Sequence, residues 1–326
     1  MIEARKRIAA FDFNGAAGGA LMTPGGKDFA LRLWFWMSAF LSIVFIVTIP
    51  MFMGGYGEVL EQNWLSNRAL LSGQEPPDPE GMLTAFGKIL PGMFAWFIGL
   101  WAIVAAGEAA FYRRYFHNIE AARQPLRFGR EELRVMLCQL GVWALIYFGF
   151  ILGIIVVSIV AGIFSVISPV LMGLLIVIGS VGLFLLWIAA AIRLAPAAAL
   201  SVSRNKTHVL AANKITKHRF WNLFVAYLVT YVGGYIAYYA IYMISIGVAT
   251  GDMGFLMAVS GLGEENPRVL FDAAAERMKS PLGMTLGILA MIINASAMAA
   301  WILLVAGVNA YAVKWWSEDD PVPNFE

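Results

Sequence analysis

Few residues in this chain have the type and spacing needed for chemistry. Its three histidines, His117, His208 and His218, stand in basic stretches without the clustered ligands that a metal site needs. The chain has no Gly-x-Ser-x-Gly nucleophile elbow, no His-Glu-x-x-His zinc helix and no phosphate-binding loop. The single cysteine, Cys138, cannot form an internal disulfide and is typical of a small buried residue. The sequence therefore predicts no metal, no cofactor and no enzymatic activity.

A row of tyrosines is the sharpest chemical feature. At about 100° per residue, five phenols fall within roughly 80° of one helical face; they are Tyr227, Tyr231, Tyr235, Tyr238 and Tyr242. They could line a polar path or a groove for a lipid headgroup. Alternatively, they pack against a neighbouring helix, with hydroxyls satisfied by backbone or by Asn294, and this is the interpretation we favour.

Two further polar residues lie inside apolar segments. Glu108 is the only acidic residue within a predicted span, about one turn before Arg113 and Arg114. It could carry a proton or bind substrate on a polar path, but its position near a membrane boundary favours an ion pair with those arginines. Asn294 lies deeper, and we expect its amide to hydrogen-bond a neighbouring helix rather than bind cargo.

The segment from Arg193 to Arg219 is basic and contains no carboxylate. At a membrane surface each such cation attracts anionic lipid by about 1 kcal/mol. The predicted contacts with anionic headgroups are Arg193, Arg204, Lys206, Lys214, Lys217 and Arg219. Thr207 is a candidate cap for a short helix lying along the inner surface. Nucleic-acid binding is not predicted, because the interleaved aromatic residues and the folded platform are missing.

The elements that position these residues are membrane helices. Of the 326 residues, 60% are hydrophobic and 13% charged, against roughly 25% charged in soluble domains. About 20 apolar residues cross a bilayer, and backbone satisfaction in lipid requires helix. We predict an all-α integral membrane bundle of six transmembrane helices with short interfacial helices. The spans are residues 33–52, 89–111, 140–164, 169–192, 220–248 and 282–313, within a transmembrane domain at 33–314.

The connecting segments support one orientation. Of the 23 Lys and Arg residues, the predicted outer loops hold only Arg68, Lys88, Arg268, Arg277 and Lys279. The positive-inside rule then places an arm at residues 1–32 and a tail at 315–326 in the cytoplasm. The first outer loop is rich in polar residues and proline, which predicts irregular chain. We expect a multi-pass membrane protein with both termini in the cytoplasm and no cleavable signal peptide.

A resemblance points the same way. The run Arg193-Leu194-Ala195-Pro196-Ala197-Ala198, then residues 211–217 and the run Arg219-Phe220-Trp221-Asn222-Leu223-Phe224, resembles a pattern in poorly characterised bacterial inner-membrane proteins. These look related to the membrane domain attached to some glycerophosphodiester phosphodiesterases. Residues 126–134 add a shorter similarity, while His218 stands where the pattern has glycine. The resemblance implies a multi-helix bacterial membrane protein of unassigned role, without the hydrolase domain or any catalytic residue.

These observations predict a non-catalytic inner-membrane protein, a scaffold or accessory subunit that contacts anionic lipid, other membrane proteins or a second copy. The alternative is a transporter or channel for a small or lipidic substrate, using the tyrosine row, Glu108 and Asn294. A lipid-modifying enzyme comes third. A water-accessible cavity between the last two spans would favour transport, whereas a closed bundle with lipid against its basic face would favour the scaffold.

Overall fold

The computed structural model describes residues 26–75, 79–119, 124–216, 220–251 and 266–319, and within these ranges the chain forms helices joined by turns, without strands. Six helical stretches are long and apolar enough to cross a membrane. They are Lys27–Phe52, Pro79–His117, Arg130–Ser165, Pro169–Ser203, Phe220–Thr250 and Pro281–Lys314. The predicted fold class, an all-α integral membrane bundle, is confirmed.

The helices are numbered here in chain order. They are α1 (Gly26–Ser72), α2 (Pro79–His117), α3 (Arg130–Ser165), α4 (Pro169–Leu194), α5 (Ala197–Ser203), α6 (Ala212–Thr216), α7 (Phe220–Leu228), α8 (Gly234–Thr250), α9 (Pro267–Met278) and α10 (Pro281–Asp319). A π-helical turn, Val229–Gly233, connects α7 to α8. Residues 1–25 of the predicted arm and 320–326 of the predicted tail lie outside the described ranges.

Contacts within the chain divide it into two compact units. The Glu108 unit comprises Met1–Ala30, Ala105–Tyr231 and Leu303–Glu326, and the Asn294 unit comprises Leu31–Val104 and Val232–Ile302. Helices α3 to α7 lie wholly in the Glu108 unit, and α8 and α9 lie wholly in the Asn294 unit.

The segment after the first span is more regular than its composition indicates. The irregular chain expected there is wrong for most of its length, because α1 continues to Ser72 and α2 begins at Pro79. The two helices approach closely at Gly55, where an added Cβ would lie 2.7 Å from Cβ of Lys88. The ammonium group of Lys88 also lies 2.7 Å from the Glu58 carboxylate. The polar residues therefore form the exposed surface of a helix pair.

The hairpin of α3 and α4 has the turn that the sequence predicts. Helix α4 begins at Pro169, and Ser168 before it has extended backbone, as the restriction on residues preceding proline requires. Across the hairpin, an added Cβ at Gly153 would lie 2.1 Å from Cδ2 of Leu183, so this glycine permits the close contact. Gly149, one turn earlier in α3, has no such neighbour within 4 Å.

The basic segment opens with a buried helix, which the sequence did not predict. In α5 every residue from Ala197 to Val202 is buried, and Leu200 is 0% exposed. The Ser201 hydroxyl donates to the Cys138 sulfur on α3 at 3.4 Å. Cys138 itself is buried, as expected. The first third of the segment is thus part of the core of the Glu108 unit.

The helix expected after Thr207 begins later. Residues 207–208 are irregular, residues 209–211 form a turn, and α6 starts at Ala212, so Thr207 does not cap it. Helix α6 buries Ala212 and Ile215 and leaves Lys214 exposed. The apolar residues and the lysine thus lie on different faces of a helix of little more than one turn.

Candidate functional site

The Asn294 unit contains a partly open apolar cavity of about 770 Å³. Residues from α1, α2, α8, α9 and α10 form its wall, among them Phe45, Phe94, Tyr238, Tyr242, Phe271 and Asn294. Small-molecule sites in proteins usually have volumes of about 300 to 1,000 Å³ and are mostly apolar, with a few polar groups that orient the ligand. The size and lining of this cavity match that description.

Asn294 is the principal hydrogen-bonding amide in the cavity wall and is 6% exposed. Its Nδ2 donates to the Ser245 hydroxyl on α8 at 2.5 Å and to the Ala290 carbonyl at 2.8 Å. The bond to a neighbouring helix agrees with the sequence-based expectation. Its Oδ1, however, is buried and accepts no hydrogen bond from the described residues. An unsatisfied buried acceptor costs about 1 to 3 kcal/mol, so a donor from a ligand would be favourable here.

The tyrosine row does not form one continuous surface. The π-helical turn Val229–Gly233 changes the rotation per residue, so the uniform helical spacing fails at this point. Beyond the turn, Tyr238 and Tyr242 line the cavity, with ring centroids 6.3 Å apart. Tyr235 instead packs against Tyr239, at 5.9 Å between centroids, and against Trp301, at 6.2 Å.

The first two tyrosines of the row belong to the Glu108 unit. Tyr227 is buried, and its hydroxyl donates to Oδ1 of Asn309 at 2.5 Å. The ring of Tyr231 lies 6.0 Å from that of Tyr227. Tyr227 and Tyr235 therefore pack against neighbouring side chains, whereas Tyr238 and Tyr242 form part of the cavity wall.

Glu108 is buried and lacks the expected arginine partner. Its carboxylate accepts hydrogen bonds from the Tyr112 hydroxyl at 3.3 Å and from Nε2 of Gln139 at 3.1 Å. Arg113 binds two other carboxylates, those of Glu131 at 3.0 Å and of Glu132. The predicted ion pair is wrong because the first turn of α3 brings these two acids to Arg113.

The hydrogen bonds around Glu108 continue into a chain of side chains. Nδ2 of Asn309 donates to the Tyr112 oxygen at 3.3 Å, and Asn309 in turn accepts from Tyr227. The chain joins α2, α7 and α10, with Gln139 contributed by α3. Asn309 was not among the predicted site residues, although an amide within an apolar span is a signal that could have found it.

The basic segment presents its cations at the surface. Arg193, Lys206 and Lys214 are exposed and Arg204 is half-buried, while Lys217 and Arg219 lie outside the described ranges. The Arg193 guanidinium lies 6.0 Å from the centre of the Phe220 ring. Burial, with the nearby charges of Arg204 and Lys206, lowers the pKa of His208, so the positive charge here resides on lysine and arginine.

A polar cleft of about 460 Å³ lies beside α1, α2 and α9 in the Asn294 unit. Two of its carboxylates form ion pairs: Arg268 lies 2.9 Å from Glu61, and the Lys88 ammonium reaches Glu58. The hydrogen bond that Arg268 donates to the Glu61 carboxylate raises the pKa of Arg268. In the part of the chain that the structure describes, no group of three His, Cys, Asp or Glu side chains is placed to hold a metal ion.

The chain matches no protein-family model, no curated protein and no solved structure.

Proposed function

We propose that this integral membrane protein binds a lipidic molecule within the bilayer, as the binding step of a carrier. The observation that supports this proposal is the apolar cavity of about 770 Å³, whose wall includes a buried amide with an unpaired oxygen. Aromatic and aliphatic walls favour a hydrocarbon or aromatic body. A conducting channel is less well supported, because a pore needs polar groups along its length.

The chemistry of the wall restricts the ligand. The apolar part of the ligand packs between rings such as Phe94 and Tyr242. The polar end of the ligand donates a hydroxyl or amine hydrogen to Oδ1 of Asn294. Tyr56 also lines the cavity, and a phenol with an ordinary pKa of about 10 is neutral at pH 7, so it adds no charge. A neutral amphipathic molecule with a single hydrogen-bond donor fits this environment better than a multiply charged molecule.

The proposal includes the orientation of the protein in the membrane. The distribution of lysine and arginine supports cytoplasmic N and C termini in a bacterial inner membrane. The resemblance to membrane domains of glycerophosphodiester phosphodiesterases and the absence of catalysis remain predictions from the sequence.

Filling the cavity tests the binding proposal. Ala290 lines the cavity and is buried, so Ala290→Phe places a ring in the ligand volume. We expect native mass spectrometry of protein extracted with its membrane lipids to show a bound molecule on the wild type, with occupancy at least tenfold lower in Ala290→Phe. Asn294→Leu should weaken binding about tenfold, which corresponds to about 1.4 kcal/mol for one hydrogen bond.

The matched control is Ala240→Phe. Ala240 is exposed on α8 and is not part of the cavity wall. This variant should keep the bound molecule at wild-type occupancy. Equal occupancy in wild type, Ala290→Phe and Asn294→Leu would contradict the proposal, and so would equal loss in both phenylalanine variants.

A second candidate function is the predicted scaffold that contacts anionic lipid. The observation favouring it is that Leu210, 70% exposed, lies between the exposed Lys206 and Lys214. An apolar side chain flanked by cations suits the interface of a membrane with anionic headgroups.

Neutralising these two lysines tests the scaffold function. Each cation contributes about 1 kcal/mol near an anionic surface, so Lys206→Gln with Lys214→Gln should lower the affinity for phosphatidylglycerol about 30-fold. Native mass spectrometry in mixed lipid measures this. The control Lys279→Gln removes an exposed lysine that pairs with Glu276 and should leave the lipid adducts unchanged. Unchanged adducts in the double variant would exclude these lysines as lipid contacts.

A further inference from the structure

The Glu108 carboxyl group occupies an unusual position. It lies in the apolar helix α2, within a stretch long enough to cross a membrane, and is 8% exposed. Ionisable residues inside membrane segments are costly, and for that reason they commonly mark proton or ion pathways. The surrounding side chains must therefore supply hydrogen-bond partners for the carboxyl group, whether it is charged or neutral.

Among the described residues no cation neutralises Glu108. The titratable groups that interact with it electrostatically are Tyr112 on its own helix, Cys138 on α3, and Tyr227 and Tyr231 on the segment from α7 into the π-helical turn. Helix α10 contributes the neutral amide of Asn309 through Tyr112. A charged carboxylate surrounded by phenols, a thiol and amides pays a desolvation cost that no ion pair offsets.

The hydrogen-bond chain accommodates the charged state of the carboxyl group. Tyr227 donates to Asn309, Asn309 donates to Tyr112, and Tyr112 donates to Glu108, so every donor in the chain points toward the carboxylate. Gln139 adds a second donor. An ionised carboxylate is purely an acceptor, and this arrangement supplies what it needs.

The same heavy atoms accommodate the neutral state. A protonated Glu108 donates to the Tyr112 oxygen, and Tyr112 then donates to Asn309 once the amide has turned by 180°. That rotation exchanges Oδ1 and Nδ2, which occupy almost the same space. Asn309 then donates to the Tyr227 oxygen. The donor-acceptor separations of 2.5 to 3.3 Å along the chain permit bonds in either direction.

From this geometry we infer that Glu108 is a proton-binding site within the membrane, and that the chain Tyr112, Asn309, Tyr227 reverses its direction when the carboxyl group gains or loses a proton. The step transfers one proton between water and the carboxylate oxygen, so one O–H bond forms as another breaks and no redox partner is required. The site is independent of the lipid cavity, which belongs to the other unit, so each proposal can fail without the other.

Infrared difference spectroscopy of the protein in lipid tests the site. A protonated carboxyl group has a C=O stretching band that a carboxylate lacks. We expect this band to be present at neutral pH, where exposed glutamates with a pKa of about 4.3 are ionised, to be lost as the pH rises, and to be absent in Glu108→Gln. Glu276→Gln, an exposed carboxylate paired with Lys279, should leave the band unchanged.

A second variant retains the carboxyl group and so keeps the inference testable if Glu108→Gln does not fold. Gln139→Leu removes one of the two hydrogen bonds to Glu108, and we expect it to shift the frequency of the same band. If the wild type has no protonated carboxyl band at neutral pH, or if neither Glu108→Gln nor Gln139→Leu alters that band, Glu108 is not a proton-binding site.

Discussion

Replacing Glu132 by alanine is expected to lower the free energy of unfolding by about 3 to 5 kcal/mol, because it leaves a buried guanidinium without its main partner. Glu132 is 2% exposed and Arg113 is 5% exposed. Glu131 also binds Arg113, at 3.0 Å, but is half-buried, and both carboxylates lie near Arg127, at 3.3 Å for Glu131 and 3.7 Å for Glu132. Denaturant unfolding in detergent micelles measures the loss.

Two comparisons show whether burial causes this effect. Glu276→Gln breaks an exposed ion pair with Lys279 and should change the unfolding free energy by no more than about 0.5 kcal/mol. Replacing both partners, with Arg113→Met and Glu132→Leu, should recover much of the loss, since apolar pairs often substitute for buried ion pairs. Losses of similar size in Glu132→Ala and Glu276→Gln would contradict the burial argument.

Truncation of Leu200 is the second large expected effect. This side chain is 0% exposed in α5, where its neighbours Ala199 and Ser201 are also 0% exposed. Leu200→Ala removes buried methyl groups and leaves a cavity, which typically costs about 2 to 5 kcal/mol. Thermal or denaturant unfolding with a probe in the Glu108 unit measures it.

The control lies ten residues further along the chain. Leu210 is 70% exposed, so Leu210→Ala should change stability by about 0.5 kcal/mol or less. If Leu210→Ala were as destabilising as Leu200→Ala, then α5 would not be the buried part of the basic segment.

Hydropathy predicted the six spans because a bilayer demands long apolar helices, and this constraint acts on local composition. The Ser168-Pro169 turn between the third and fourth spans also has a local cause, because proline restricts the backbone of the residue before it. Helix α9 begins at Pro267 for a local reason as well, because proline suits the first turn of a helix. Asn266 caps it, with the side chain accepting from the Arg268 amide at 2.9 Å.

The features that the sequence did not predict depend on tertiary contacts. Nothing local distinguishes Glu132 from other surface acids, yet the approach of α3 to α2 makes it the buried partner of Arg113. The sequence places helix α5 in a cytoplasmic basic segment because Arg193 and Arg204 flank it, although most of the residues between them are apolar and buried. The first loop was assigned from its polar composition, which also suits the outer face of a helix.

The tyrosine row shows how one local irregularity changes a site. Five positions at regular spacing predict one face only if the helix is α-helical throughout. The π-helical turn Val229–Gly233 ends that regularity, and the tyrosines on either side of it have different partners. Tyr227 bonds Asn309, while Tyr242 lines the cavity.

The proposed lipidic ligand of the Asn294 cavity should be visible in an experimental structure determined in nanodiscs formed from native membrane lipid. We expect elongated density inside the cavity, bounded by Phe94 and Tyr242, with a polar end within hydrogen-bond distance of Oδ1 of Asn294. A cavity closed by inward movement of its side chains, or one that contains only water, would contradict the claim.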